Sequence, residues 1–112
     1  MIIVAGGFNR SPERLSSTEV LEYPSGRAWR AMADLPSPRS DLKGVTLANL
    51  FYLVGGYQYT DRFETLDDIL VYNASSDTYA TAGHLTLQRR EHAVTKVPWR
   101  AVAEYCTTTT DD

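Results

Sequence analysis

Short runs of apolar residues, each bounded by turn-forming residues, make up most of the chain. "FYLV" at residues 51–54 ends at two glycines, "DILVY" at 68–72 ends at "NASSD", and "TYATA" begins at Thr78. Runs this short, with Gly, Asn, Asp and Ser between them, are typical of β-strands joined by turns. No segment combines sustained apolar spacing at three and four residues with caps at both ends, so the pattern predicts an all-β fold.

A further strand is predicted next to each of these runs. "GVTLA" at residues 44–48 leads through the tight turn "ANL" into the next apolar run, and "HAVTKV" at 92–97 matches it. "SSTEVLEY" at 16–23 is the nearest imitation of a helix start, but its counterpart "TLDDILVY" has the character of a strand. Each period is therefore predicted to be a meander of four antiparallel strands.

The sequence repeats itself at an offset of 49 or 50 residues. At 49, "VAGGF" falls on "LVGGY" and "VT" at 45–46 falls on "VT" at 94–95. Further pairs keep the same order and character: Val20 with Ile69, Tyr23 with Tyr72, Trp29 with Tyr79, Leu35 with Leu85, and Arg39 with Arg89. Chance is a poor explanation for an ordered set of this length.

This ordered set resembles the kelch family, whose repeat of about fifty residues forms one blade of a β-propeller. The resemblance covers roughly residues 2–97, with Tyr79 in place of the second Trp and Thr86 in place of the second Pro. The residues that carry it are Gly6, Gly7, Tyr23, Trp29, Leu35, Pro36 and Arg39 in the first copy and Gly55, Gly56, Tyr72, Tyr79, Leu85 and Arg89 in the second.

We therefore expect a partial kelch β-propeller of about two four-stranded blades, cut from a larger ring of some four to eight. Residues 1–50 would hold the first repeat, without its first strand, together with the first strand of the next blade. Residues 51–98 would hold the second repeat and the first strand of a third blade. The next diglycine is due near residue 104, where the sequence is "AEYC". Residues 99–112 are accordingly expected to be a degenerate tail, disordered at its end.

The repeat also suggests structural roles for its characteristic residues. Blades taper toward the propeller axis, and a crowded strand end favours residues without Cβ, which would explain the diglycines. Arg39 and Arg89 are expected to be hydrogen-bonded supports at the blade junctions. Four rings are expected to be buried between neighbouring blades, at about 2–3 kcal/mol each: Tyr23, Trp29, Tyr72 and Tyr79.

Composition and charge narrow the classes of function. The 112 residues, 43% hydrophobic and 22% charged, suit one ordinary soluble domain. A net charge of -3 gives no reason to expect a nucleic-acid or membrane partner. No apolar run approaches the ~18 residues of a spanning helix. The single Cys106 excludes an internal disulfide, and the cytoplasm is the expected location.

The sequence contains no recognisable catalytic or metal-binding motif. His84 and His92 are the only histidines, and no carboxylate or thiolate completes a metal-ligand spacing around them. We expect no cofactor and no enzymatic activity. The alternatives are a fragment of a kelch-fold enzyme, such as a copper radical oxidase or a sialic acid epimerase, or a truncated product without activity. For the oxidase, Tyr105 and Cys106 are adjacent in sequence and outside the repeats.

The loops are the expected site of function, because in a propeller they present side chains on the rims. Phe8, Asn9 and Phe63 lie with several arginines and tyrosines in the connections after the two diglycines. The resemblance to kelch-type substrate adaptors implies that the residue after each repeat arginine faces a peptide pocket. Arginine and aromatic residues are enriched at binding hot spots. The predicted partner-binding residues are Arg10, Arg14, Ser40, Tyr57, Tyr59, Arg62 and Arg90.

The sequence thus predicts a protein-interaction module that binds a peptide or protein, of acidic character because of these arginines. The resemblance further implies substrate recognition for a cullin-type ubiquitin ligase, in which a BTB domain would precede the propeller. Unpaired strand edges and exposed blade faces also predict self-association.

Overall fold

The structure, a computed structural model, describes residues 1–10 and 13–98 and contains seven strands in these ranges. The strands are β1 (Ile2–Ala5), β2 (Thr18–Leu21), β3 (Arg30–Met32), β4 (Lys43–Leu47), β5 (Leu50–Tyr59), β6 (Phe63–Asn73) and β7 (Thr78–His84). They confirm the predicted all-β fold. Residues 99–112, for which a disordered tail was predicted, lie outside the described residues.

The strands form two antiparallel meanders. The first sheet has the order β1-β2-β3 and the second the order β4-β5-β6-β7, so neighbours in the sheet are also neighbours in sequence. The predicted tight turn joins β4 to β5, with Ala48 at a φ of 52°. One sheet therefore contains the complete four-strand meander, and the other contains its last three strands.

The hydrophobic core lies between the two sheets. Leu35, which follows β3, packs with Leu53 of β5 and Leu70 of β6, and all three are buried. Ala5 of β1 packs against the same cluster. The core therefore holds the two meanders together through apolar contacts from both.

Three polar contacts join the same two sheets. The hydroxyl groups of Tyr79 and Thr18 lie 2.6 Å apart, and the Ala33 amide donates to the carboxylate of Asp77 at 2.8 Å. Within the second meander, the same carboxylate accepts a hydrogen bond from the Tyr72 hydroxyl at 2.7 Å. The Ala33 amide, and then the Tyr72 hydroxyl, lower the pKa of Asp77. Burial, and then the bond to Asp77, raise the pKa of Tyr72.

Arg39 supplies the third contact, an ion pair with Asp68 of β6 at 2.7 Å. Its other terminal nitrogen donates to the Ser37 hydroxyl at 2.8 Å. Only 3% of the Arg39 side chain is exposed. Arg89, its repeat counterpart, is exposed, so the guanidinium groups of the two repeat arginines occupy different environments.

Of the four rings expected to be buried, Tyr72 is buried, Tyr79 is half-buried, and the two rings of the first repeat are exposed. Tyr72 is fully buried against Tyr79, with ring centroids 4.7 Å apart. Tyr23 is 66% exposed and Trp29 is 45% exposed. The second pair lies at the junction with the first sheet, whereas no sheet among the described residues covers the first pair.

The diglycines are required by backbone conformation and by a close carbonyl group. All four glycines have positive φ, at 69° and 115° for Gly6 and Gly7 and at nearly the same values in the second repeat. The second glycine of each pair donates its amide to the carbonyl of the repeat arginine at 2.8 Å. A Cβ on Gly6 would lie 2.6 Å from that carbonyl oxygen of Arg39. The side chains of Leu35 and Leu42 would also lie 3.1 and 3.3 Å from that Cβ, so the predicted crowding is found at Gly6 and the carbonyl is its closest part.

Two predicted strands differ from the structure, one in its end and one in its presence. β5 does not end at Gly55 but continues through a β-bulge between Val54 and Gly56 as far as Tyr59. Ladder hydrogen bonds to β6 extend the hairpin past the bulge, and only residues 60–62 form the connection. Residues 92–98 form no strand, because a strand needs a hydrogen-bonded partner and none of the described strands pairs with them.

Candidate partner-binding site

Tyr57 is the centre of the candidate site, and the bulge in β5 places it there. Beyond Gly56 the strand forms an isolated antiparallel bridge with Ser40, from the segment that connects the two sheets. The amide of each residue donates to the carbonyl of the other, at 2.9 Å from Ser40 and 2.8 Å from Tyr57. Tyr57 is therefore held between the second sheet and the end of the first repeat.

Two arginines stand over the ring of Tyr57. The guanidinium carbon of Arg90 lies 4.0 Å from the ring centroid, and that of Arg14 lies 4.8 Å from it. Arg14 also stands 4.7 Å from the ring of Phe8, with which it forms an antiparallel bridge. These distances lie within the range of cation–π attraction. The cluster thus joins side chains from both repeats.

A second aromatic residue extends the cluster along the β5–β6 hairpin. Phe63 stacks on Tyr57 with centroids 5.6 Å apart and an angle of 6° between the ring planes. Tyr59 packs against Phe63 at 4.5 Å in a tilted arrangement. Phe63 is 62% exposed and Tyr59 52% exposed. The hairpin therefore presents apolar ring surface to solvent beside the arginines.

The Ser40 hydroxyl links Arg14 to an acidic residue. The Nε of Arg14 donates to Ser40 Oγ at 3.3 Å, and Ser40 Oγ donates to Asp41 Oδ2 at 3.0 Å. Ser40 itself is only 3% exposed. Because one guanidinium nitrogen is held by a buried hydroxyl, the plane of Arg14 is restrained while its terminal nitrogens remain for other acceptors.

The positive charges of Arg14 and Arg90 are not neutralised by ion pairs with the described residues. Among residues 1–10 and 13–98, neither Arg14 nor Arg90 has a carboxylate oxygen within salt-bridge distance. A shallow cavity of about 200 Å³ lies next to Arg14, lined also by Glu13, Pro38 and Tyr59. A guanidinium keeps its N–H groups in its own plane, where they can bind a carboxylate with two hydrogen bonds.

The structure brings most of the predicted site residues together. Arg14, Ser40, Tyr57 and Arg90 are in direct contact in one cluster, and Tyr59 joins it through Phe63. The expectation that both tyrosines lie in a loop is wrong, because both belong to β5.

Arg10 and Arg62 are exposed, and neither guanidinium stands over an aromatic ring in the described part of the chain.

The sequence interpretation also missed Asp41, which accepts the Ser40 hydrogen bond and has a φ of 57°. Glu91 repeats this conformation at 53° fifty residues later. The sequence signal for this conformation is the acidic residue that directly follows "RS" in the first repeat and "RR" in the second.

Neither histidine takes part in the ring contacts of this cluster. His84 Nδ1 is 3.2 Å from Asp67, and His92 packs beside Gly55 with neither ring nitrogen hydrogen-bonded to any described residue. No three His, Cys, Asp or Glu side chains in residues 1–10 and 13–98 are grouped so as to hold a metal ion. In the same ranges, no helix is long and apolar enough to cross a membrane.

Comparison with known proteins identifies the repeat. No protein-family model matches the chain. Kelch-like protein 23 of Pongo abelii is 35% identical over 88 residues, which are 78% of this chain and 15% of that protein. Kelch-like protein 23 of Homo sapiens is 34% identical over 77 residues, which are 68% of this chain and 13% of that protein. The chain thus spans a small part of the curated relatives it matches.

A solved structure shares the fold. The structure of YjhT superimposes with a TM-score of 0.62 and 15% sequence identity, covering 77% of this chain and 28% of that chain. The similarities agree with the repeat seen in the structure. Each meander contains a diglycine whose second amide donates to the carbonyl of the repeat arginine. The chain therefore belongs to the kelch-repeat family, and its two sheets have the fold of kelch propeller blades.

Proposed function

We propose that this chain is a protein-interaction module that binds an acidic peptide segment of a partner at the cluster formed by Arg14, Tyr57 and Arg90. At the level of the family, the similarity to kelch-like proteins supports a protein-interaction propeller module. The single observation that carries the proposal is the pair of guanidinium groups that stand over one ring without a carboxylate partner among the described residues.

The contact with the Tyr57 ring prepares both arginines to bind anions. An arginine packed on an aromatic ring has lost side-chain freedom before a ligand arrives, so less entropy is lost when it binds. The bond from Arg14 to Ser40 adds a second restraint to one of the two. A carboxylate that reaches this cluster meets two positive charges, which favours Asp and Glu side chains over neutral ones.

The exposed rings provide the rest of the contact. Phe8, Tyr59 and Phe63 are each more than half exposed and lie around the arginines. Exposed aromatic residues next to arginines are typical of binding hot spots. We therefore expect a ligand in which acidic residues alternate with or adjoin apolar ones, rather than a purely acidic tract.

Substrate recognition for a cullin-type ubiquitin ligase is the biological role that we propose for such a module, with the cytoplasm as its location. The support is the similarity to Kelch-like protein 23, of which this chain spans 15% or less. No reaction is proposed for the chain itself.

A random-peptide phage library panned on the immobilised full chain tests the proposed site. We expect enriched peptides to contain Asp or Glu, and we expect Tyr57→Ala and Arg90→Ala to lose most of the bound phage. Arg27→Ala removes an exposed arginine from the turn between β2 and β3 and is the matched control. Enriched peptides that bind all three variants as well as the native chain would place the site elsewhere.

A further inference from the structure

The connection that follows the first diglycine is a narrow hairpin fastened by backbone and side-chain hydrogen bonds. Phe8 and Arg14 face each other in the antiparallel bridge at its base. Beyond them, the Asn9 amide donates to the Glu13 carbonyl at 3.2 Å, and the Glu13 amide donates to Asn9 Oδ1 at 3.2 Å. Asn9 Nδ2 also donates to Glu13 Oε1 at 3.1 Å. The Glu13 carboxylate is therefore restrained, although the residue is exposed.

Two neighbouring residues of opposite charge line one cavity beside this hairpin. Glu13 and Arg14, together with Pro38 and Tyr59, surround the cavity of about 200 Å³. Pro38 belongs to the segment between the two sheets, and Tyr59 ends β5. The cavity thus lies where the first repeat meets the β5–β6 hairpin. Its lining combines one carboxylate, one guanidinium and a ring that is 52% exposed.

Neither charge in this lining is neutralised within the part of the chain that the structure describes. Glu13 accepts a hydrogen bond from the neutral Asn9 side chain, and among residues 1–10 and 13–98 no cation lies within salt-bridge distance of it. Arg14 is bound through Nε to the neutral Ser40 hydroxyl. Although adjacent in sequence, Glu13 and Arg14 do not form an ion pair with each other. A carboxylate can accept about four hydrogen bonds, so Glu13 keeps acceptor capacity for a ligand.

A purely acidic ligand complements only half of this cavity. Its carboxylate is attracted by Arg14 but shares the cavity with the carboxylate of Glu13, and like charges placed together disfavour binding. A lysine or arginine beside the acidic residue would face Glu13 and remove this repulsion. Its aliphatic stem could pack on Pro38 and its cation on the Tyr59 ring, as long basic side chains commonly do.

We propose that the peptide bound at this site carries a lysine or arginine adjacent to its acidic residue, and that Glu13 selects this basic residue. The inference rests on the proposed function, because it places the acidic residue of the ligand at Arg14. Each ligand charge offsets the repulsion that the other one meets in the cavity. Recognition of the two ligand residues is therefore coupled, and a double-mutant cycle measures the coupling.

A phage library with a fixed central Asp and random flanking positions, panned on the immobilised full chain, tests the selectivity. We expect Lys and Arg next to the Asp to be more frequent in the enriched peptides than in the unselected library. Glu13→Gln keeps an acceptor for Asn9 and removes the charge, so it should abolish this enrichment. Glu19→Gln changes an exposed glutamate of β2 and is the matched control, which should retain it.

Isothermal titration calorimetry with one enriched peptide measures the contact with Glu13. Replacing the basic residue of the peptide by Met should weaken binding to the native chain about threefold, the size of an exposed ion pair. The same replacement should leave the affinity for Glu13→Gln unchanged. Higher salt should reduce the difference between the two peptides on the native chain, because exposed charges are screened.

The outcomes separate this inference from the proposed function. If basic residues are not enriched next to the Asp, or if their enrichment persists on Glu13→Gln, the role of Glu13 is refuted while the acidic-peptide site stands. A matched library with Asn in place of the fixed Asp tests the site itself. If that library is retained equally well, or if Arg14→Ala with Arg90→Ala retains the Asp library, the proposed function fails and this inference fails with it.

Discussion

Arg39 Nη1 and Asp68 Oδ1 lie 2.7 Å apart in an ion pair that connects the end of the first repeat to β6 of the second. The arginine is almost fully buried, while Asp68 keeps 22% of its side-chain exposure. The backbone carbonyl of Arg39 also accepts a hydrogen bond from the Gly7 amide. One residue thus links the first diglycine, its own repeat and the neighbouring sheet.

Removing the partner of this buried guanidinium should destabilise the chain strongly. Asp68→Ala leaves the charge of Arg39 buried without its carboxylate, and we expect a loss of about 3 kcal/mol in the free energy of unfolding. Urea denaturation measures it. Arg89→Ala, at the exposed counterpart of Arg39, is the control and should change stability by less than about 0.5 kcal/mol. Equal effects of the two substitutions would contradict the assigned role.

The conformation of the diglycines predicts a sharp contrast among glycine-to-alanine variants. Gly55→Ala introduces a Cβ at positive φ against the Arg89 carbonyl and should cost about 1–3 kcal/mol. Gly83→Ala, in β7, meets nothing within 4 Å and should be neutral or slightly stabilising. Thermal unfolding of the two variants, compared with the native chain, gives the answer. A Gly55→Ala variant as stable as Gly83→Ala would refute the packing described above.

The different burial of the repeated tyrosines gives a second matched pair. Tyr72 is 0% exposed and Tyr23 66% exposed, although they occupy the same place in their repeats. Tyr72→Ala should lower the free energy of unfolding by about 3 kcal/mol or more. Tyr23→Ala should cost under about 1 kcal/mol. If chemical denaturation gave similar losses, the two blades would be equally covered, contrary to the structure.

Stability should fall in acid because of Asp77. Its pKa is lower in the folded chain than its ordinary value of 3.8, since the folded state favours the charged carboxylate. The contribution is therefore complete above pH 3.8 and is lost as the pH falls through the lower, folded pKa. Urea midpoints measured from pH 6 downward should drop less steeply for Asp77→Asn than for the native chain. Parallel pH profiles would exclude Asp77 as a contributor.

The repeat made most of the fold predictable from sequence. Strand order follows from a meander of short apolar runs, and the diglycines mark the same point in both copies. The exposure of Tyr23 was not predictable from the pattern, because it depends on whether a sheet lies beside the residue rather than on the residue. The continuation of β5 to Tyr59 was missed because a bulge at Gly55 and Gly56 reads in sequence like a strand end.

The candidate site was predictable by residue type but not by geometry. Arginine and aromatic residues after each diglycine, together with the residue after each repeat arginine, indicated a binding rim. Arg14 and Arg90 both contact the ring of Tyr57. Which arginines meet a ring depends on loop conformation, which no spacing rule gives. The bridge between Ser40 and Tyr57 joins residues 17 positions apart through a bulged strand, and it has no local sequence signal.

The most direct test of the account is the affinity of the full chain for an acidic peptide selected from the phage library, measured by isothermal titration calorimetry. The same peptide with every Asp and Glu replaced by Asn and Gln serves as its neutral counterpart. We predict that the native chain binds the acidic form at least about tenfold more tightly, a difference of about 1.4 kcal/mol, and that Arg14→Ala with Arg90→Ala abolishes this preference. Equal affinity for the two peptides, or a preference that survives the loss of both arginines, would contradict it.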